Sequence, residues 1–162
     1  MRVTDNRTVD YGLLGAQLEA LLKDVSDTLA NTANFVALLY NSLPGINWLG
    51  IYVLRDYELV LGPFQGNPAC VRIPLGQGVC GSAAKDMKTM TVPDVREFED
   101  HIVCDLESRS EIVVPLISPV GLLGVLDIDS PELARFSEDD QIGIESLCDI
   151  FINGIDDTKT FI

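Results

Sequence analysis

The chain has 162 residues, close to one domain by length, with 47% hydrophobic and 22% charged residues and a net charge of −14. Eleven basic residues against twenty-five acidic ones argue against nucleic acid or an anionic membrane surface as a partner. The longest apolar stretch, Ile112 to Asp127, is broken by Pro115, Ser118, Pro119, Gly121 and Gly124 and is shorter than the roughly 20 residues that span a bilayer.

The first residues, MRVTDNRTVDYG, carry no apolar h-region, so no secretory signal is expected. Residues 10–43 read as helix. Leu13, Leu14, Leu18, Leu21, Leu22 and Val25 recur at helical spacing, and Leu29, Ala33, Val36, Leu39 and Tyr40 continue it. Ser26 is a candidate cap for a second segment, so two helices with a bend near Asp24 are expected, ending at Leu43-Pro44-Gly45. This region carries no recognisable chemistry and reads as a packing or dimer face.

From Ile46 the pattern turns to strands. INWLGIYVL and YELVLGPF form an expected hairpin through Arg55-Asp56. CVRIP (70–74) reads as a short strand, GQGVCGSAAKD (76–86) as a short helix and TMTVPDV (89–95) as a further strand. Residues 96–110 lack a clean period, and a loop of that length inside a domain is usually functional. EIVVPLIS and LLGVLDID are strands with an expected three-residue loop, Pro119-Val120-Gly121. That register sets Glu111 opposite Asp129 and puts Asp127 on the same face. Ser137 caps a last helix over about 138–154, with Ile144, Leu147, Cys148, Phe151 and Ile155 on one face. Helices at both ends of an antiparallel sheet, with a short helix inserted between, predict a single α+β domain. Its expected parts are N-terminal helices at 10–43, a catalytic sheet with loops at 46–130 and the C-terminal helix.

Three carboxylates interrupt the most apolar part of the chain. Like charges opposed across strands are destabilising, so Glu111, Asp127 and Asp129 call for a cation or a proton. A ligand ammonium group suits them, although in so acidic a chain most carboxylates belong to a solvated face. Trp48 and Tyr52 share a strand face, which fits either core or a small partly apolar pocket.

The four cysteines are Cys70, Cys80, Cys104 and Cys148. Without an export signal they are expected in a reducing, cytoplasmic setting, where thiols serve as core fillers, metal ligands or redox catalysts. Cys148 lies on the apolar stripe of the last helix and reads as core. Cys70 and Cys80 are expected to be partly accessible. Cys104 follows His101 by three residues, with Asp100 and Asp105 nearby, so local sequence leaves it either activated or inert. A zinc set of Cys70, Cys80, His101 and Cys104 lacks a C-x₂₋₄-C knuckle and is weakly supported.

The segments NWLGIYVL, LVLGPFQG, ACVRIPLGQGVCG, VPDV, HIVCD, SEIVVPL and GVLDIDS, in this order, resemble the free methionine-R-sulfoxide reductases, single GAF domains that reduce the free amino acid. The cysteine spacing Cys70-x₉-Cys80-x₂₃-Cys104 is similar to that family's pattern. The resemblance implies a six-stranded antiparallel sheet flanked by helices, usually in a homodimer. It makes Cys104 the nucleophile, Cys70 the resolving thiol and Cys80 an auxiliary or alternative resolving thiol. It makes Glu111, Asp127 and Asp129 the substrate carboxylates, and Trp48 and Tyr52 the pocket for the methyl-sulfur end. It implies thioredoxin as reductant and no metal or organic cofactor. Asp100 departs from the glycine that many relatives carry there. Two other classes remain beside the enzyme: a GAF small-ligand or redox sensor without turnover, and a zinc-stabilised interaction domain.

Overall fold

The computed structural model describes residues 8–155 and 161–162; the expectation about a signal segment falls largely on residues 1–7, outside them. Helices α1 (Tyr11–Leu22) and α2 (Thr28–Ser42) precede strands β1 (Trp48–Arg55), β2 (Glu58–Gln65) and β3 (Arg72–Pro74). Helix α3 (Gly78–Asp86), β4 (Met90–Val92), β5 (Ser110–Ser118), β6 (Gly121–Ser130) and α4 (Glu138–Gly154) follow. The six strands form one sheet in the order β3-β2-β1-β6-β5-β4, with every neighbouring pair antiparallel. This is the expected α+β architecture.

The expected bend between the first helices is a real break, with Asp24 at φ 61°. The cap differs from expectation: Asp27, rather than Ser26, accepts the hydrogen bond from the Ala30 N–H at 2.8 Å. Such a cap contributes about 1 kcal/mol. Ser137 caps α4 as expected and forms a reciprocal capping box with Asp140. Asp140 also accepts from the Tyr11 hydroxyl at 2.6 Å and pairs with Arg135 at 2.9 Å, which ties α1 to the start of α4.

Three strand expectations change. The first hairpin turns at Asp56-Tyr57, because Arg55 already pairs with Glu58. The short strand begins at Arg72, so Cys70 lies in the preceding turn, and β4 is limited to three residues. The second hairpin has a two-residue turn, Pro119-Val120, since Ser118 pairs with Gly121. That change alone would turn the strand over. A register shift between Leu116 and Ile117 compensates: Leu116 pairs with Gly124 and Ile117 with Leu122, leaving Leu123 as an extra residue. The bulge restores the expected pairing of Glu111 with Asp129.

Alternation along the strands divides the sheet into two faces. Leu49, Ile51, Val53, Ile112, Val114, Leu116, Leu126 and Ile128 pack in one cluster with α1, α2 and α4. Phe35 of α2 and Phe151 of α4 stack in this layer, ring centroids 4.4 Å apart. Trp48, Tyr52, Val113 and Val125 belong to a second cluster beneath α3. The loops on either side of β3 and the loop after β4 contribute to this second face, which holds the polar residues.

Candidate functional site

A pocket opens on the second face. Strand β1 supplies Trp48 and Tyr52, β5 supplies Glu111, and β6 supplies Asp127 and Asp129. The first turn of α3 contributes Gly78, Val79 and Cys80, and the loop before β5 contributes His101, Cys104, Asp105 and Ser108. The strand period alone brings the carboxylates and aromatics together. Trp48 pairs with Asp129, and Gly50 with Asp127. Gly50 has a steric reason: a Cβ there would lie 2.4 Å from the Trp48 ring. The open position lets that ring lie along the strand towards Tyr52, centroids 5.9 Å apart.

The three carboxylates do not form a solvated face. Glu111 and Asp127 are each only 6% exposed, and Asp129 is half-buried. Burial pushes all three carboxyls above their ordinary range, with the Asp127 carboxyl reaching about 6. Mutual repulsion adds to the rise at Glu111 and Asp129. Among the described residues no Lys or Arg lines the pocket to offset them, and Asp127 Oδ1 has no hydrogen-bond partner. The site therefore favours a proton or an incoming cation.

Above this floor, Cys70 and Cys104 are joined by a disulfide, Cα atoms 5.5 Å apart. While that bond stands, neither sulfur is free for the zinc set of Cys70, Cys80, His101 and Cys104. The Tyr52 hydroxyl donates to the Cys70 carbonyl at 2.9 Å, fixing one side of the bridge to β1. Burial lowers the His101 pKa, so a charged imidazole is disfavoured beside Cys104. Cys80 departs from its expected accessibility: it is 4% exposed, and its thiol lies 3.8 Å from Glu111 Oε1. Burial pushes that thiol well above its usual range. Cys148 lies buried on the inward face of α4, as expected.

Residues 17–153 match the GAF domain family. The chain is 48% identical over 142 residues to the free methionine-R-sulfoxide reductase of Escherichia coli, covering 88% of this chain and 86% of that one. The chain belongs to the free methionine-R-sulfoxide reductases. It is also 54% identical over 134 residues to protein YtsP of Bacillus subtilis, covering 82% of each. The Staphylococcus aureus enzyme of the family, solved in complex with substrate, superposes with a TM-score of 0.86 at 44% identity, covering 91% of this chain and 96% of that one.

Against the reductase pattern, the departure at Asp100 has a conformational meaning. Its φ is 60°, in the left-handed region that glycine enters freely and that Asp enters more readily than most residues. The sequence reading missed a set of polar tethers around the reductase loop. Asp105 Oδ2 accepts from the Nδ2 atoms of Asn47 and Asn67, each at 3.5 Å, and Asn47 Nδ2 also reaches Ser108 Oγ at 3.3 Å. The Trp48 indole N–H donates to the Asn67 carbonyl at 3.0 Å, linking the same loops to the pocket. Asp105 was visible beside Cys104, but its partners lie 58 and 38 residues away.

Proposed function

We propose that this chain reduces free L-methionine-(R)-S-oxide to L-methionine, with Cys104 as nucleophile and Cys70 as resolving thiol. The observation that carries the reading is a Cys70–Cys104 disulfide over a pocket floored by buried carboxylates. In the reduced enzyme the Cys104 thiolate attacks the sulfoxide sulfur. An acid of the Glu111/Asp129 pair, directly or through water, protonates the sulfoxide oxygen as the sulfur–oxygen bond passes to Cys104. Their raised pKa values suit this step, since a general acid must still hold its proton near neutrality. Methionine leaves and Cys104 remains as a sulfenic acid. The Cys70 thiol displaces its hydroxyl as water, forming the disulfide. A dithiol of the thioredoxin class then reopens the bond by exchange, supplying two electrons.

Trp48 and Tyr52 pack against the methyl-sulfur end, and the carboxylates take the α-ammonium group. The first turn of α3 offers N–H groups to the α-carboxylate, and its N-cap Gln77 makes no side-chain capping bond that would compete. A peptide-bound residue lacks both end charges, which supports selectivity for the free amino acid. Cys80 serves as an auxiliary thiol. Exposed Leu13, Leu21, Val25 and Leu29 support a homodimer through the N-terminal helices. A cytoplasmic setting fits a disulfide that must be reduced in each cycle. Among the described residues no helix is long and apolar enough to cross a membrane.

The test is NADPH consumption with thioredoxin, thioredoxin reductase and each free methionine sulfoxide epimer. Turnover of the R epimer alone is expected. Absence of turnover with both epimers would instead leave a GAF sensor module.

A further inference from the structure

Cys80 remains outside the disulfide, buried in the apolar cluster beneath α3 with Glu111 and Asp127 beside its thiol. One ligand atom from each of Cys80, Glu111 and Asp127 lies within 4.8 Å of the other two, and all three residues are buried. An ammonium group needs no sulfur among its partners, so the thiol is surplus to amino-acid binding, whatever auxiliary part it takes in turnover. We infer that Cys80, Glu111 and Asp127 form a site for a thiophilic divalent cation of the zinc class, and that its occupancy excludes the amino-acid ligand.

The geometry is near what such an ion requires. Zinc–sulfur and zinc–oxygen bonds of about 2.3 and 2.1 Å in a tetrahedral arrangement set sulfur and oxygen about 3.6 Å apart. Cys80 Sγ and Glu111 Oε1 stand 3.8 Å apart, so a contraction of about 0.2 Å brings them into position. Asp127 supplies the independent sign of a missing partner: it is 6% exposed, lines the pocket, and its Oδ1 has no hydrogen bond. Three protein ligands leave a fourth position for water. As the metal–sulfur bond forms, the thiol proton leaves to solvent, so binding needs no oxidant or reductant. The cation then neutralises the carboxylates that an α-ammonium group would otherwise meet. The metal site stands on its own geometry, whereas the exclusion of amino acid rests on the function proposed above.

The experiment uses the protein in its Cys70–Cys104 disulfide form, without added thiols, so that neither of those sulfurs can ligate. Co²⁺ is titrated as a spectroscopic stand-in, followed by Zn²⁺. One equivalent of Co²⁺ should produce thiolate charge-transfer absorption in wild type and in Cys148→Ala, and Zn²⁺ should abolish it. Cys80→Ala should show no such band. Glu111→Gln, which keeps the thiol, should weaken Zn²⁺ binding at least tenfold by calorimetry, with far-ultraviolet dichroism checking the fold of each variant. No thiolate band in wild type, or an undiminished band in Cys80→Ala, would overturn the metal site. Free L-methionine should lower the apparent Zn²⁺ affinity. Zinc binding that methionine leaves unchanged would keep the metal site and refute the exclusion, whatever the outcome of the turnover assay.

Discussion

The two faces of the sheet are built from the same strands and do opposite work. On the helix-covered face, Leu49, Ile51, Ile112, Leu126 and Ile128 are all fully buried in apolar contact. One residue along each strand, on the other face, stand Trp48, Glu111, Asp127 and Asp129. Burying an aliphatic side chain contributes roughly 1.5–3 kcal/mol. Burying a carboxyl without a cation costs free energy and raises its pKa. The apolar face thus holds the sheet rigid, while the other tolerates unfavourable charge that a ligand can relieve.

The largest effect should come from the sulfur that reacts. Cys104→Ser should reduce turnover to background. Cys70→Ser should release about one methionine per site in a single-turnover assay and then stall without a small thiol. Equal steady-state rates in Cys104→Ser and wild type would remove the chemistry from this face.

Next come the carboxyls. Glu111→Gln and Asp129→Asn should each lower kcat/KM by about 10²–10⁴, since the proposed mechanism has each serve both binding and protonation. Asp127→Asn should lose less, because the proposed mechanism gives it a part in binding alone. A flat ranking of the three amides would sink the division of roles.

The helix-covered face should respond in the other coordinate. Phe151→Ala removes the ring stacked on Phe35 and should cost about 3–5 kcal/mol of stability in urea unfolding. The kcat/KM of the folded fraction should stay at the wild-type value. A matching loss of activity would mean that the two faces are coupled.

The smallest effect concerns charge on the site face without ligand. A carboxyl with a folded pKa above its unfolded one binds more protons when folded, so stability falls as pH rises between the two values. For Asp127 that window runs from an ordinary 3.8 to about 6. Asp127→Asn should therefore be more stable than wild type by about 2–3 kcal/mol above that window. The advantage should shrink as pH falls through it. Thermal melts at pH 4 and pH 7 make the comparison, and a pH-independent difference would contradict it.

The pairing of Glu111 with Asp129 was legible in the chain because strand period and hairpin register act locally. It survived a wrong loop length only because the bulge at Leu123 added back the residue that the turn lost. Trp48 and Tyr52 were legible for the same reason. The burial of Cys80 was not, since it depends on how closely α3 approaches β3. A Cβ on Gly81 would meet the Pro74 carbonyl oxygen at 2.4 Å, a contact between segments that no local pattern specifies. The Asn47–Asp105–Asn67 tethers were hidden likewise, being single side-chain bonds between distant loops. The roles of the individual sulfurs came from resemblance, because spacing alone left Cys104 either activated or inert.

In the proposed function the acidic face selects the zwitterion of a free amino acid. The most direct test of that selection is kcat/KM for free against N-acetylated methionine-R-sulfoxide. A charge-assisted hydrogen bond is worth about 1.5–3 kcal/mol, so loss of the ammonium group should lower kcat/KM roughly tenfold to over a hundredfold. The ratio should collapse towards one in Glu111→Gln combined with Asp129→Asn. Equal kcat/KM for the two substrates in wild type would contradict the account.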